Sequence, residues 1–302
     1  EARDIAATLR KALLDGKDPA AIYAEMTGKD DTGEPIPTFA EAARRFIETK
    51  RPEWKNAKHA QQWENTLRDY VLPVMGKLYP EDITVEHVLR CLSPIWTTKT
   101  ETAVRVRQRI EMILDHCAAR GWRDDNNPAR WRGKLEALLP KPSKVRRVEH
   151  QPALPYARAP ELYAALATRS GMAARCLRFL MLTAVRSGEA RLATWDEIDF
   201  TAKRWTIPAY RMKRDREHVV PLSDEAVALL KSTPRIVGSP YIFPAPKGGP
   251  LSDMTLTQLI RRTHKEDAAA GGPGWLDPTN GRVITVHGLR ATFRDWAGEC
   301  TH

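Results

Sequence analysis

The stretch TVHGLRATFRDWAGECTH, residues 285–302, decides how this chain is read. It opens with His287 and Arg290, three residues apart, so on a helix both side chains stand on one face. At a helix N-terminus the unpaired backbone N–H groups and the dipole favour an anion as well. An imidazole and a guanidinium placed there have the chemistry to hold one phosphate. A histidine in such a place is just as readily a satisfied core residue, and this stretch alone does not choose between the two.

Two further stretches bear on the choice. In MLTAVRSGEARLATWDEID, residues 181–199, Arg186 follows an apolar helical run and Glu189 lies three residues on. A carboxylate at that spacing can hold an arginine while its fork stays open to an oxyanion. The same spacing describes an ordinary surface ion pair on a helix. In MKRDREHVVPLS, residues 212–223, Lys213 starts a charged turn. Trp205 and Ile207 precede that turn and Val219 and Val220 follow it, a period-two pattern that reads as a β-hairpin. Lys213 can reach a phosphate and give it a proton, or it can simply solvate a turn.

Moving outward, residues 1–19 read as an amphipathic helix stopped by Gly16, and residues 28–36 as a polar linker. Helical periodicity runs from Thr38 to Gly121 in four segments. Thr38 and Glu41 have capping-box spacing, a second helix spans 56–76 with Trp63, Leu67, Tyr70 and Val71 on one face, Thr84 caps a third, and 100–121 is the fourth. Residues 136–158 are basic and dense in proline, a semi-rigid strap between lobes. From Ala159 onward helices return, interrupted by the hairpin.

The chain has 302 residues, enough for two domains or one large one. Its net charge of +10, from 48 Lys and Arg against 38 Asp and Glu, favours a polyanionic partner, although a basic solvated surface has the same balance. Cys91, Cys117, Cys176 and Cys300 are scattered and form no CxxC, which argues against a disulfide framework or structural zinc. They read as small core residues in a reducing compartment. No signal peptide and no apolar run of spanning length is present, so a cytoplasmic protein with no membrane partner is expected.

Taken together and in this order, an arginine with its glutamate, a lysine in a hairpin and HxxR, all after a four-helix lobe, resemble the tyrosine recombinase (phage integrase) family, and within it the integrases of prophages and genomic islands. The resemblance covers nearly the whole chain. It implies a mainly α fold with a small antiparallel β-sheet, made of a helical core-binding domain and an α+β catalytic domain. Residues 1–36 would be the remnant of an arm-binding domain and its linker, 37–140 the core-binding domain, 141–158 the basic linker and 159–302 the catalytic domain.

By position, Arg186 matches the family's first catalytic arginine and Glu189 the acidic residue beside it. Lys213 matches the hairpin lysine, His287 the histidine of HxxR, and Arg290 the second catalytic arginine. The implied reaction cuts and rejoins DNA through a 3′-phosphotyrosyl bond with no metal and no cofactor. The implied partners are double-stranded DNA at attachment sites, three further copies of the chain in a tetramer, and DNA-bending host factors, inside a bacterial cytoplasm. Lys50, Arg51, Lys55, Lys58, His59, Arg105, Arg107 and Arg109 are candidate DNA contacts, each equally readable as part of a solvated helix face.

One feature departs from the family. A histidine or tryptophan and then the nucleophilic tyrosine are expected downstream of HxxR, yet the last of the seven tyrosines is Tyr241. A C-terminal segment is therefore expected to be missing, and these residues to hold DNA without cleaving it. The alternatives are a catalytically inactive DNA-binding protein of the same fold and a relaxing enzyme of the type IB topoisomerase kind.

Overall fold

The structure, a computed structural model, describes residues 2–27, 35–54, 57–146, 149–212 and 214–301. The chain divides into two compact units, Glu1–Val148 and Glu149–His302.

In the first unit, α1 (Ala2–Leu14) ends at Gly16, whose φ of 69° supplies the left-handed turn, and α2 (Pro19–Thr27) follows. The sequence reading had no helix at α2. The linker at 28–36 lies almost wholly outside the described residues, although Ile36 is buried.

The body of the unit is α3 (Phe39–Lys50), α4 (Ala57–Tyr70), α5 (Leu72–Met75), α6 (Val85–Trp96) and α7 (Thr100–Ala119). They close over one core that includes Phe39, Phe46, Trp63, Leu67, Met75, Leu92, Ile110 and Leu114. The helix expected over 56–76 is split after Tyr70, where Pro73 cannot donate to the ladder. Thr38 sits at the N-cap of α3 but makes no side-chain cap, and the Glu41 carboxylate is engaged by Arg44 and Arg45. Thr84 does cap α6, with His87 completing a reciprocal box. The short α8 (Pro142–Val145) lies in the strap, and the Trp96 indole donates to Pro140 O at 2.9 Å.

In the second unit, α9 (Ala159–Ala167) and α10 (Met172–Thr183) lead into the five-residue α11 (Ser187–Arg191). A three-stranded antiparallel sheet follows, β1 (Ile198–Asp199), β2 (Arg204–Ile207) and β3 (His218–Pro221), in the order β1-β2-β3. The expected hairpin is β2–β3, with Trp205 opposite Val220 and Ile207 opposite His218. Trp205 and Ile207 are fully buried on the inner face, while Val219 points outward. Then come α12 (Asp224–Lys231), α13 (Thr255–Ala269) and α14 (Gly288–Cys300). Phe179, Trp205 and Phe243 form the aromatic centre of this core, with ring centroids 5.1 and 5.6 Å apart. All four cysteines are free; three are buried and Cys300 is exposed, contrary to its expected place in a core. Among the described residues no helix is long and apolar enough to cross a membrane.

Candidate phosphate pocket

The pocket is built at two helix starts in the second unit. α10 ends at Ala184, which takes the left-handed conformation (φ 51°) and returns its N–H to Leu180 O at 2.8 Å. A side-chain-bearing residue adopts that backbone only when its surroundings impose it. The turn buries Val185 and delivers Arg186 to the N-cap of α11. Glu189, buried one turn on, accepts the Arg186 backbone N–H and its Nη1, each at 2.7 Å. One edge of the guanidinium is thereby fixed, and the side chain remains 53% exposed.

At the second start, the Thr285 hydroxyl accepts the Gly288 N–H at 2.9 Å. Gly288, Leu289 and Thr292 form the buried face of α14. The incoming segment 152–154 is stitched to this turn at two points and to the Asp277 loop at a third. Thr285 N–H donates to Pro152 O at 3.0 Å, Thr292 Oγ1 to Leu154 O at 2.6 Å, and Ala153 N–H to the Asp277 carboxylate at 2.9 Å. A Cβ on Gly288 would lie 1.9 Å from Pro152 O, so only glycine admits the segment. With that face covered, His287, Arg290, Ala291 and Arg294 turn to the other side.

There they line a pocket of about 990 Å³ together with Arg186, Ala184 and Phe293, and with Ala153 and Leu154 of the covering segment. Its carboxylates are already engaged: Asp277 with Thr279 and Ala153, Asp295 with Arg294, Glu149 with Arg282. Burial pulls Asp277 toward neutrality, but its donors Thr279, Ala153 and Asn280 outweigh this and hold it below the usual carboxylate range. Among the described residues no hydrogen bond or ion pair engages the Arg290 guanidinium. Burial lowers its pKa first and the Arg186 charge lowers it further, against a smaller opposing effect of Glu189. Two guanidiniums that repel across a half-desolvated pocket are relieved by an anion between them. Among the described residues no group of three or more His, Cys, Asp or Glu side chains is arranged to hold a metal ion.

Arg186, Glu189, His287 and Arg290, expected to share a site, are thus brought together. Lys213 lies outside the described residues, as does Lys55. Of the other candidate DNA contacts, Lys50 pairs with Glu53, Arg51 with Glu64 and Arg105 with Glu101, all near the surface. Lys58 and His59 are exposed, and the His59 ring lies tilted against Trp54, with centroids 4.8 Å apart. Arg107 and Arg109 correct the expectation: they are 8% and 7% exposed. Arg107 is bound to Glu111 and Ala129 O, while Arg109 is bound to Gln62 O and Thr66 and lies over the Trp63 ring at 5.0 Å. Both serve the core of the unit and leave little to offer DNA. Sequence reasoning passed over Asp277 and Thr292; the signal for them is tertiary, a partner more than 120 residues away.

The family model for the phage integrase central domain matches residues 39–134, and that for the phage integrase family matches 154–296. The chain belongs to the phage integrase family. Prophage integrase IntA of Escherichia coli (strain K12) is 30% identical over 297 residues, covering 96% of this chain and 66% of the relative. The integrase of Enterobacteria phage P4 is 28% identical over 306 residues, covering 96% and 64%. This phage integrase chain therefore spans just under two thirds of the length of those relatives. In fold it is similar to a lambda integrase (75–356) dimer bound to a COC′ core site, with TM-score 0.65, 16% identity, and 87% of this chain and 91% of that one covered. It is likewise similar to the Tn1549 transposon integrase in complex with circular intermediate DNA, with TM-score 0.66, 12% identity, and 88% and 89% covered.

Proposed function

We propose that this integrase is a site-specific DNA recombinase that cuts and rejoins double-stranded DNA through a 3′-phosphotyrosyl intermediate. The observation that carries the reading is the pair of guanidiniums, Arg186 and Arg290, with His287 beside them in one pocket, where Glu189 pairs with Arg186 alone and the carboxylates lining the pocket are engaged elsewhere. The family and the names of the relatives, which are integrases, support it.

In this reading a tyrosine oxygen attacks the scissile phosphorus, the bond from phosphorus to the 5′-oxygen breaks, and the tyrosine proton leaves. No tyrosine is assigned that role. Arg186 and Arg290 each meet a nonbridging oxygen, where negative charge grows in the transition state. Glu189 keeps Arg186 aimed. Lys213 gives the 5′-oxygen its proton, and His287 holds the phosphate or passes a proton at the nucleophile. The phosphodiester energy stays in the covalent bond, so religation by the 5′-hydroxyl needs no other energy source.

Residues 37–140 act as the core-binding domain, 141–158 as the linker and 159–302 as the catalytic domain. Lys58, His59 and Arg105 remain candidate DNA contacts. The working assembly is a tetramer on two DNA sites in the bacterial cytoplasm, assisted by DNA-bending host proteins.

The test is covalent trapping. The full-length gene product, incubated with a nicked duplex carrying its attachment site, is expected to form a denaturant-resistant adduct at the 3′-phosphate, unaffected by chelator. Salt-sensitive binding without any adduct would favour the inactive DNA-binding reading. Relaxation of supercoiled plasmid without site preference would favour the topoisomerase-like one.

A further inference from the structure

Arg211 lies in the β2–β3 connection, on a single turn (Ala209–Arg211) that follows Pro208. Its side chain is 10% exposed and that of its partner Glu197 is 4% exposed. One arm of the guanidinium donates to the Glu197 carboxylate, which also accepts the Trp205 indole N–H at 2.8 Å and the Thr194 N–H at 3.3 Å. The other arm, Nη2, donates to the backbone carbonyl of Glu189 at 2.7 Å. Glu189 is the residue whose carboxylate grips Arg186 twice. A buried cation on the hairpin connection is therefore bonded to the main chain of the residue that aims Arg186.

This matters because α11 has only five residues. A helix of about one turn does not hold its own geometry and depends on bonds from outside. Neutralising Glu197 asks only for a positive charge, which a lysine would supply. Reaching the Glu189 carbonyl with the second arm asks for the planar fork of an arginine. As a source of stability a buried ion pair is a poor choice, since apolar packing of the same volume does as well. What the pair provides in addition is a fixed place for α11.

We infer that Arg211 is a positioning residue for strand cleavage: by holding the Glu189 carbonyl it sets where the open edge of Arg186 meets the scissile phosphate. The inference rests on the recombinase reading above and adds to it a residue that touches neither DNA nor nucleophile.

The experiment compares the full-length gene product with its Arg211→Lys and Arg211→Met variants on two duplexes. One carries the ordinary scissile phosphate. The other carries a neutral methylphosphonate at that single linkage. Arg211→Lys keeps a charge for Glu197 and is expected to stay folded with the DNA affinity of the wild type, its melting temperature falling only slightly for the Glu189 carbonyl left without its donor. Its cleavage of the phosphate duplex should fall by roughly 100-fold, the scale set by an ångström of misplacement; Arg211→Met should lose at least as much. On the methylphosphonate duplex the charge that Arg186 meets is gone, so the ratio of wild-type to variant rates should shrink toward one. A fold defect is not repaired by changing the substrate. A folded Arg211→Lys that cleaves like wild type overturns the inference, and so does an equal deficit on both duplexes. Failure of the wild type itself to form a covalent adduct overturns the recombinase reading, and the inference with it.

Discussion

Arg107 and Arg109 on α7 and Arg186 and Arg290 at the starts of α11 and α14 are the same side chain held in opposite ways. The first two are closed: each guanidinium has acceptors inside its own unit, and Arg109 also has an aromatic ring beneath it. The second two are open. Arg186 has one edge fixed and the other facing a pocket, and Arg290 is half-buried beside a like charge. A closed arginine adds to stability by completing hydrogen bonds that would otherwise be lost. An open one stores repulsion that a phosphate removes. What separates the two pairs is where each guanidinium faces: Arg107 and Arg109 are buried within their unit, whereas Arg186 and Arg290 line a pocket.

The sharpest way to break this contrast is Arg290→Ala in the full-length gene product. Strand cleavage in a trapping assay should fall by about 100- to 1,000-fold, while the melting temperature stays or rises because a desolvated like charge is gone. A large drop in stability would place Arg290 with the closed group. The converse change is Arg109→Ala, or Arg107→Ala, in the 302-residue chain. Urea denaturation should show a loss of about 2–3 kcal/mol from the first unit, since carbonyls and a hydroxyl or carboxylate are left without their donor. Full stability with weakened DNA binding would instead return these residues to the DNA-facing set.

Gly288→Ala probes the support under the open pair. Its Cβ cannot coexist with Pro152 O, so the segment 152–154 must shift, at about 1–3 kcal/mol by thermal melting. The smallest effect concerns Asp277. A folded-state pKa below the ordinary value means that its contribution is complete above the unfolded pKa, near pH 4, and is lost as pH falls through the lower folded value. The melting temperature of Asp277→Asn should therefore lie below that of the wild type at pH 6, and the two should converge toward pH 2.

Much of this arrangement was legible in the sequence, and the exceptions have physical causes. Trp205, Ile207 and Val220 announced the hairpin because a strand buried on one face alternates. β1 announced nothing: two residues carry no period, and pairing with β2 alone makes them a strand. The run of arginines at 105, 107 and 109 looked like one basic face only while it was read as a line. Residues two apart on a helix point about 200° apart, so Arg107 stands opposite Arg105 and Arg109, and Arg109, on the side of Arg105, is buried because it folds onto Gln62, Thr66 and the Trp63 ring. Arg105 reaches outward to Glu101 while Arg107 turns inward to Glu111, four residues on. At the pocket, the spacing of His287 and Arg290 was visible, but the reason their face is open was not. It lies in Pro152, Ala153 and Leu154, which bond to Thr285, Asp277 and Thr292 from a remote part of the chain, Ala153 and Leu154 also lining the pocket.

Those three bonds span 133, 124 and 138 residues of sequence. Contacts that close loops of this length form slowly and late, after the local helices are in place. The pocket is therefore among the last parts of its unit to assemble. A ribosome must have passed residue 292 before the turn carrying His287 can settle on the segment made some 140 residues earlier. Until then the chain presents its arginines without the geometry that makes them grip.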